Sequence, residues 1–181
     1  MLKIAYIKNN PIDTFKIINN SNYNIVQLNI QISVDNVLFI SDKKIINSKL
    51  LTNLYFYEII ELDDTIISLN TFFESFHILN SKLLLQVNVN NRFVCAFLNK
   101  ILTKYKNFDK ILIVTNNIFI LESMHRFNEN YNLGLMTKNI VNEEILLYYI
   151  QKFNITFVCF HWSVLCPETI KYLHKNNIMI F

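Results

Sequence analysis

Two carboxamides stand two positions apart in the run Ile25-Val26-Gln27-Leu28-Asn29-Ile30. On an extended strand, residues i and i+2 share a face, so Gln27 and Asn29 project together. Carboxylates at that spacing would ligate a hard divalent cation, which takes anionic oxygens. Amides keep the shape and drop the charge. The same spacing recurs at Gln86 and Asn88 in "LLLQVNV" (83–89). Three more apolar runs end on residues that could take part: Tyr6-Ile7, Ser41-Asp42 and His161-Trp162. Asp42 carries the one carboxylate in this set. The set as it stands is suited to hydrogen bonding more than to metal-assisted hydrolysis. For His161 beside Trp162, lining the same mouth is weighed against ordinary packing.

Other reactive side chains have plainer readings. His77 and His125 lie on helical runs without a Cys or His partner at metal spacing, and are read as structural. Cys95, on an apolar helix face, and Cys159, inside a strand, belong to the core. Cys166 precedes Pro167 and is expected to be exposed, but no His or Asp is placed beside it by sequence, so a nucleophilic role is not expected. Ser163 lacks the glycines of a nucleophile elbow. Asp13, Asp35, Glu58, Glu61, Asp63 and Asp64 are the acids from which another carboxylate site could be drawn. Asp35 is assigned to a turn and the others to loops.

The elements that position these residues are short. Strands are expected at 2–7, 25–32, 37–41, 83–89, 110–115, 132–137, 156–161 and 178–181. Several are almost continuously apolar, as in strands covered on both faces. Helical periods fall at 69–79, 92–105, 117–129, 142–153 and 166–176, with Asn117 and Asn142 as N-caps and Pro167 in a first turn. Strand alternating with helix gives right-handed crossovers and a parallel sheet. Eight strands favour a compact (β/α)8 TIM barrel, with an open doubly wound sheet as the alternative. Residues 34–36 form a tight turn between the second and third strands. The segment 43–68 is the least periodic, a long excursion whose Tyr55, Phe56 and Tyr57 either pack a lid or offer a binding surface. The sequence closes within the last strand, so the barrel is expected to lack its final helix.

Composition narrows the class. The 181 residues form one domain, 1–181, and are 52% hydrophobic, enough for a substantial core. One glycine leaves neither a G-x-G-x-x-G nor a P-loop to cradle a phosphate. A net charge of +3 without a basic stripe argues against nucleic acid. Three cysteines without a C-x-x-C fit an intracellular, reducing compartment. No apolar run reaches the ~18 residues of a membrane span, and the first ten residues do not form a signal peptide. The abundance of Ile, Asn, Lys, Tyr and Phe points to an AT-rich genome.

The order of elements and several phrases resemble the glycerophosphodiester phosphodiesterase family. That family's first strand ends His-Arg-Gly before Pro-Glu-Asn-Thr; here stand Tyr6-Ile7-Lys8 and Pro11-Ile12-Asp13-Thr14. Its Glu-x-Asp strand, Asp-containing turn and His-Asp pair resemble Gln27-Leu28-Asn29, Asp35 and Ser41-Asp42. "ISLNTFFESF" (67–76) is similar to its Pro-Thr-Leu-Glu-Glu helix start, Gln86-Val87-Asn88 to its Glu-x-Lys strand, and Gly134 to a glycine before leucine in its sixth strand. The resemblance implies a TIM barrel that cleaves glycerophosphodiesters to glycerol 3-phosphate and an alcohol with a divalent metal. Of the catalytic positions it implies, this chain keeps Asp42. The others are Tyr6, Ile7, Gln27, Asn29, Ser41, Gln86 and Asn88.

The expectation is therefore a catalytically inactive phosphodiesterase-like barrel that acts as a binding or structural protein, without metal or other cofactor. The alternative is a divergent phosphodiesterase using Mg²⁺ or Ca²⁺ and Asp42. A third reading is a complex subunit that keeps the barrel as a shape. A homo-oligomer or protein partner is expected to cover the place of the missing eighth helix.

Overall fold

Strand β2 (Ile25–Ile32) organises the first part of the computed structural model, which describes residues 4–7, 11, 13, 15–16, 23–75, 82–87, 89, 91, 93–105, 108–139, 142–164 and 166–181. Asn88, His77 and the final residues of the predicted helix 69–79 lie outside the described residues. The chain forms two units, Met1–Ile111 and Leu112–Phe181.

In the first unit β2 alternates from Val26 onward. Val26, Leu28, Ile30 and Ile32 are buried, while Gln27, Asn29 and Gln31 share the half-exposed face. β1 (Ile4–Tyr6) and β7 (Lys82–Val87) run parallel to it, with Tyr6 opposite Gln27 and Gln86 opposite Asn29. β3 (Leu38–Ile40) returns antiparallel, pairing Ile40 with Ile30, and β6 (Ile67–Ser68) continues antiparallel beyond it. The tight turn expected at 34–36 is present. Asn36 takes the left-handed conformation, φ 63°, and its N–H donates to the Ser33 carbonyl at 3.1 Å.

The excursion 43–68 holds more regular structure than its weak periodicity predicts. β4 (Ile45–Ile46) and β5 (Lys49–Leu50) form a hairpin whose turn residues, Asn47 and Ser48, have φ of 49° and 63°, the signs of a type I′ turn. A helix follows at Phe56–Leu62, so Glu58 and Glu61 are helical, not on loops. Seven residues are too few for a visible apolar period, and helices this short rely on tertiary support. Here that support comes from its first turn. The Glu58 carboxylate accepts from the Tyr55 N–H at 2.8 Å, and the Asp35 carboxylate accepts from the Phe56 N–H at 2.9 Å. Ile59 then joins Phe39, Leu51 and Ile66 in a buried cluster, with Phe56 packed on it. The aromatic trio thus divides. Phe56 packs inward, while Tyr55 and Tyr57 stack on each other, 49% and 61% exposed.

In the second unit β8 (Ile111–Thr115), β9 (Asn132–Thr137), β10 (Ile155–Phe160) and β11 (Met179–Ile180) pair in sequence order, all parallel. Helices Ile118–Phe127, Glu143–Lys152 and Pro167–Lys175 make the crossovers. All five residues of β8 are buried. The Asn117 side chain accepts from the Phe119 N–H, and that of Asn142 accepts from the N–H groups of Glu144 and Ile145. Pro167 opens its helix as expected. The last two helices are followed by Asn154 and Asn177 with φ of 49° and 59°, a position usually given to glycine. Gly134 sits under the ring of Phe157. Cys95 and Cys159 are buried and Cys166 is exposed. Burial pushes the Cys159 thiol up to about 12. Among the described residues, no helix is long and apolar enough to cross a membrane.

Candidate functional site

The half-exposed face of β2 meets the ends of its neighbours. The Gln27 amide donates to the Gln86 side-chain oxygen on β7, and the Asn29 amide donates to the Tyr6 hydroxyl of β1. Both bonds run diagonally across the register, which sets Tyr6 beside Gln27 and Gln86 beside Asn29. Chain continuing from β3 turns back to the same place, where the Ser41 N–H donates to the Asn29 carbonyl at 3.1 Å. Asn29, Ser41, Asp42 and Gln86 line one cavity of about 290 Å³, together with Gln31, Lys44, Leu50 and Thr52.

Gln31 had no role in the sequence reading, although it continues the i, i+2, i+4 series of Gln27 and Asn29. Its amide donates to the backbone carbonyls of Ser41 at 2.9 Å and Lys43 at 2.7 Å. These bonds fix the loop that carries Asp42. A second tether, the ion pair from Lys43 to Asp63 at 2.8 Å, holds the loop from outside. Lys44, Leu50, Thr52 and Val89 also escaped the sequence reading. The first three belong to the weakly periodic excursion, and Val89 lies beyond the end of β7.

Asp42 and Lys44 give the cavity lining one charge of each sign. The Tyr6 phenol is pushed above the ordinary tyrosine range, first by burial and then by the Asp42 charge, against the opposing pull of the Asn29 amide. Asn29 Oδ1 is buried and accepts no hydrogen bond. Ser41, 7% exposed, turns its hydroxyl to the Lys43 backbone, donating to the carbonyl and accepting from the N–H, both at 3.2 Å. Ile7 is buried, and its N–H donates to the Gln27 carbonyl at 3.3 Å, so its side chain takes no part in the cavity lining. In the second unit His161 is exposed, its Nδ1 2.7 Å from the Ser163 hydroxyl, and Trp162 opens a 3-10 turn through Val164. Of the acids held in reserve, Asp35 is committed to the turn. Its carboxylate accepts from the Ser33 hydroxyl at 2.6 Å as well as from Phe56.

A hard divalent cation does not fit this donor set. Such an ion wants six or more oxygens, several of them anionic. The cavity lining supplies Asp42, neutral oxygens and the Lys44 ammonium. Each carboxylate replaced by an amide forfeits on the order of 4 kcal/mol of attraction at intermediate dielectric. Among the described residues, no group of three His, Cys, Asp or Glu side chains converges.

No family model matches the sequence, and neither does any curated protein. Solved structures do match. A glycerophosphodiester phosphodiesterase from Parabacteroides distasonis superposes with a TM-score of 0.83 at 12% identity, over 98% of this chain and 82% of that one. An Oleispira antarctica phosphodiesterase, in complex with the product sn-glycerol-3-phosphate, gives 0.84 at 13% identity, over 99% and 83%. The Thermotoga maritima glycerophosphodiester phosphodiesterase gives 0.75 at 14%, over 100% and 84%. The fold class is therefore the α/β TIM-barrel type. Within that class, the chain has the fold of the glycerophosphodiester phosphodiesterases.

Proposed function

We propose that this chain is a non-catalytic member of that fold, one barrel domain over residues 1–181, which binds a small ligand or a protein partner without a metal. One observation carries the reading. Positions where phosphodiester cleavage would require carboxylates hold amides, paired as Gln27 with Gln86 and Asn29 with Tyr6. Hydrolysis by a metal route needs a Lewis acid and groups that exchange protons near neutrality. Tyr6 titrates above the ordinary tyrosine range, and Ser41 is turned to the Lys43 backbone. Neither group is suited to that exchange.

The test is a thermal-shift titration with Ca²⁺, Mg²⁺ and glycerol 3-phosphate, singly and together. Selective binding to the native state raises its stability, by about 2.7 kcal/mol at a hundredfold excess over Kd. The expected outcome is no metal-dependent rise. A clear rise with metal overturns the reading.

A second reading, a divergent metal-dependent glycerophosphodiester phosphodiesterase, is favoured by Asp42 facing the shared cavity and by the names of the structural neighbours. Turnover of a glycerophosphodiester that disappears in Asp42→Ala would establish it.

A further inference from the structure

Asp42 and Lys44 line the same cavity with opposite charges. Among the described residues neither has an ion-pair partner, and they do not pair with each other. The residue between them is engaged elsewhere, since the Lys43 ammonium is bound to Asp63 at 2.8 Å. Asp42 is half-buried and Lys44 is exposed. The backbone that carries them is pinned along its length. Gln31 donates to the carbonyls of Ser41 and Lys43, and the Ser41 hydroxyl bonds both backbone groups of Lys43. The Lys44 carbonyl then accepts from the Leu51 N–H at 2.9 Å. A fixed loop thus presents two opposite charges to one hollow and leaves each without a partner.

We propose that the cavity binds a small amino acid in its zwitterionic form, the ammonium set against the Asp42 carboxylate and the carboxylate against the Lys44 ammonium. This rests on the binding reading above and names the chemistry of its ligand. A ligand with a single charge would satisfy one of the two residues and bring its own sign against the other. A zwitterion satisfies both and leaves the site neutral. Orientation is set as well, because an ionised carboxylate only accepts hydrogen bonds and an ammonium only donates them. Thr52 and Gln86 add neutral polar wall, and Leu50 and Val89 add apolar wall for a short side chain. At about 290 Å³ the cavity is at the small end of ligand sites, which suits a compact occupant.

The test is a ¹⁵N–¹H NMR titration of the full chain, following the backbone of residues 41–44 and 50–52. The probes are L-alanine, its two halves ethylammonium chloride and sodium propionate, CaCl₂ and glycerol 3-phosphate, near neutral pH and at constant ionic strength. L-Alanine is expected to give saturable shifts at these positions. Each half should bind at least about tenfold more weakly, for the loss of one charged hydrogen bond. Asp42→Asn should weaken alanine and leave propionate favoured over ethylammonium, while Lys44→Gln should weaken alanine and reverse that order. Either half binding as tightly as alanine overturns the proposal and leaves the pocket a site for a simple cation or anion. An unchanged alanine affinity in either variant overturns it too. Shifts with Ca²⁺ or glycerol 3-phosphate and none with alanine overturn it in favour of the enzyme reading. Silence to every probe overturns the proposal and removes the pocket from the binding reading as well.

Discussion

Single residues decide how the stability of the fold responds to pH. Burial pushes the Asp63 carboxyl up, but the Lys43 ammonium and the Thr65 hydroxyl and N–H more than offset this, so it stays below the usual aspartate range. A carboxyl lowered by folding contributes stability above its unfolded value, ~3.9, and that contribution is lost as pH falls through the folded value. Lys43, raised chiefly by its hydrogen bond to Asp63, contributes below its unfolded value of ~10.4 and loses this as pH rises through the folded one. Asp63→Asn should therefore be less stable than the parent between these limits, and the two should converge below about pH 4. Urea midpoints measured from pH 3 to 8 check this. A constant gap down to the acid end would mean that the pair is not the source. Asp35, also lowered on balance, keeps some acid sensitivity in both proteins. Gln31 teaches a different lesson at this scale. Its type was legible, but its two bonds to the Ser41–Lys43 backbone depend on a loop path that sequence does not record.

At the scale of elements, local chemistry was legible wherever the period was long enough to see. The bounds of β2 and β9 match the expected strands, and Asn117 and Asn142 cap the helices assigned to them. Helix Phe56–Leu62 escaped because its first turn is held by Asp35, twenty-one positions upstream of Phe56. The hairpin at 45–50 escaped because Asn-Ser is a weaker turn signal than Asn-Gly. The contact between β9 and β10 yields a sharp prediction. A Cβ on Gly134 would lie 2.1 Å from the ring of Phe157, which is fully buried. Gly134→Ala must displace that ring, an overpacking that costs typically 1–3 kcal/mol. The urea midpoint should fall accordingly with an unchanged m-value. A variant as stable as the parent would show that the ring moves freely.

For the whole molecule, the order of strand and helix was legible most easily where strands pair in sequence order, as β8 to β11 do, whereas β2 pairs with β7 across the strands between them. The chemistry of the candidate site was legible in residue type alone. Gln27, Asn29 and Gln86 stand out by spacing, but their mutual bonds come from register between strands far apart in sequence. The partner expected from the sequence, a second copy or another protein, belongs to the proposal and is tested by sedimentation velocity across a concentration series. Exposed Ile45, Tyr55, Tyr57 and Ile60 in the first unit are apolar side chains such contacts use. A shift to a larger species with concentration is expected, and a monomer throughout would count against self-association.

Among the described residues, the left-handed positions are held by Asn36, Asn47, Ser48, Asn154 and Asn177, and none by glycine. That choice gives the protein a clock. An asparagine followed by a small residue cyclises through the next backbone nitrogen to a succinimide, which opens to aspartate or isoaspartate. Among the described residues Asn47-Ser48 is such a pair, in the turn beside the Leu50 and Thr52 wall of the cavity. Ageing of the purified chain at the hairpin would place a new negative charge, and at times an extra backbone carbon, at the rim of the pocket.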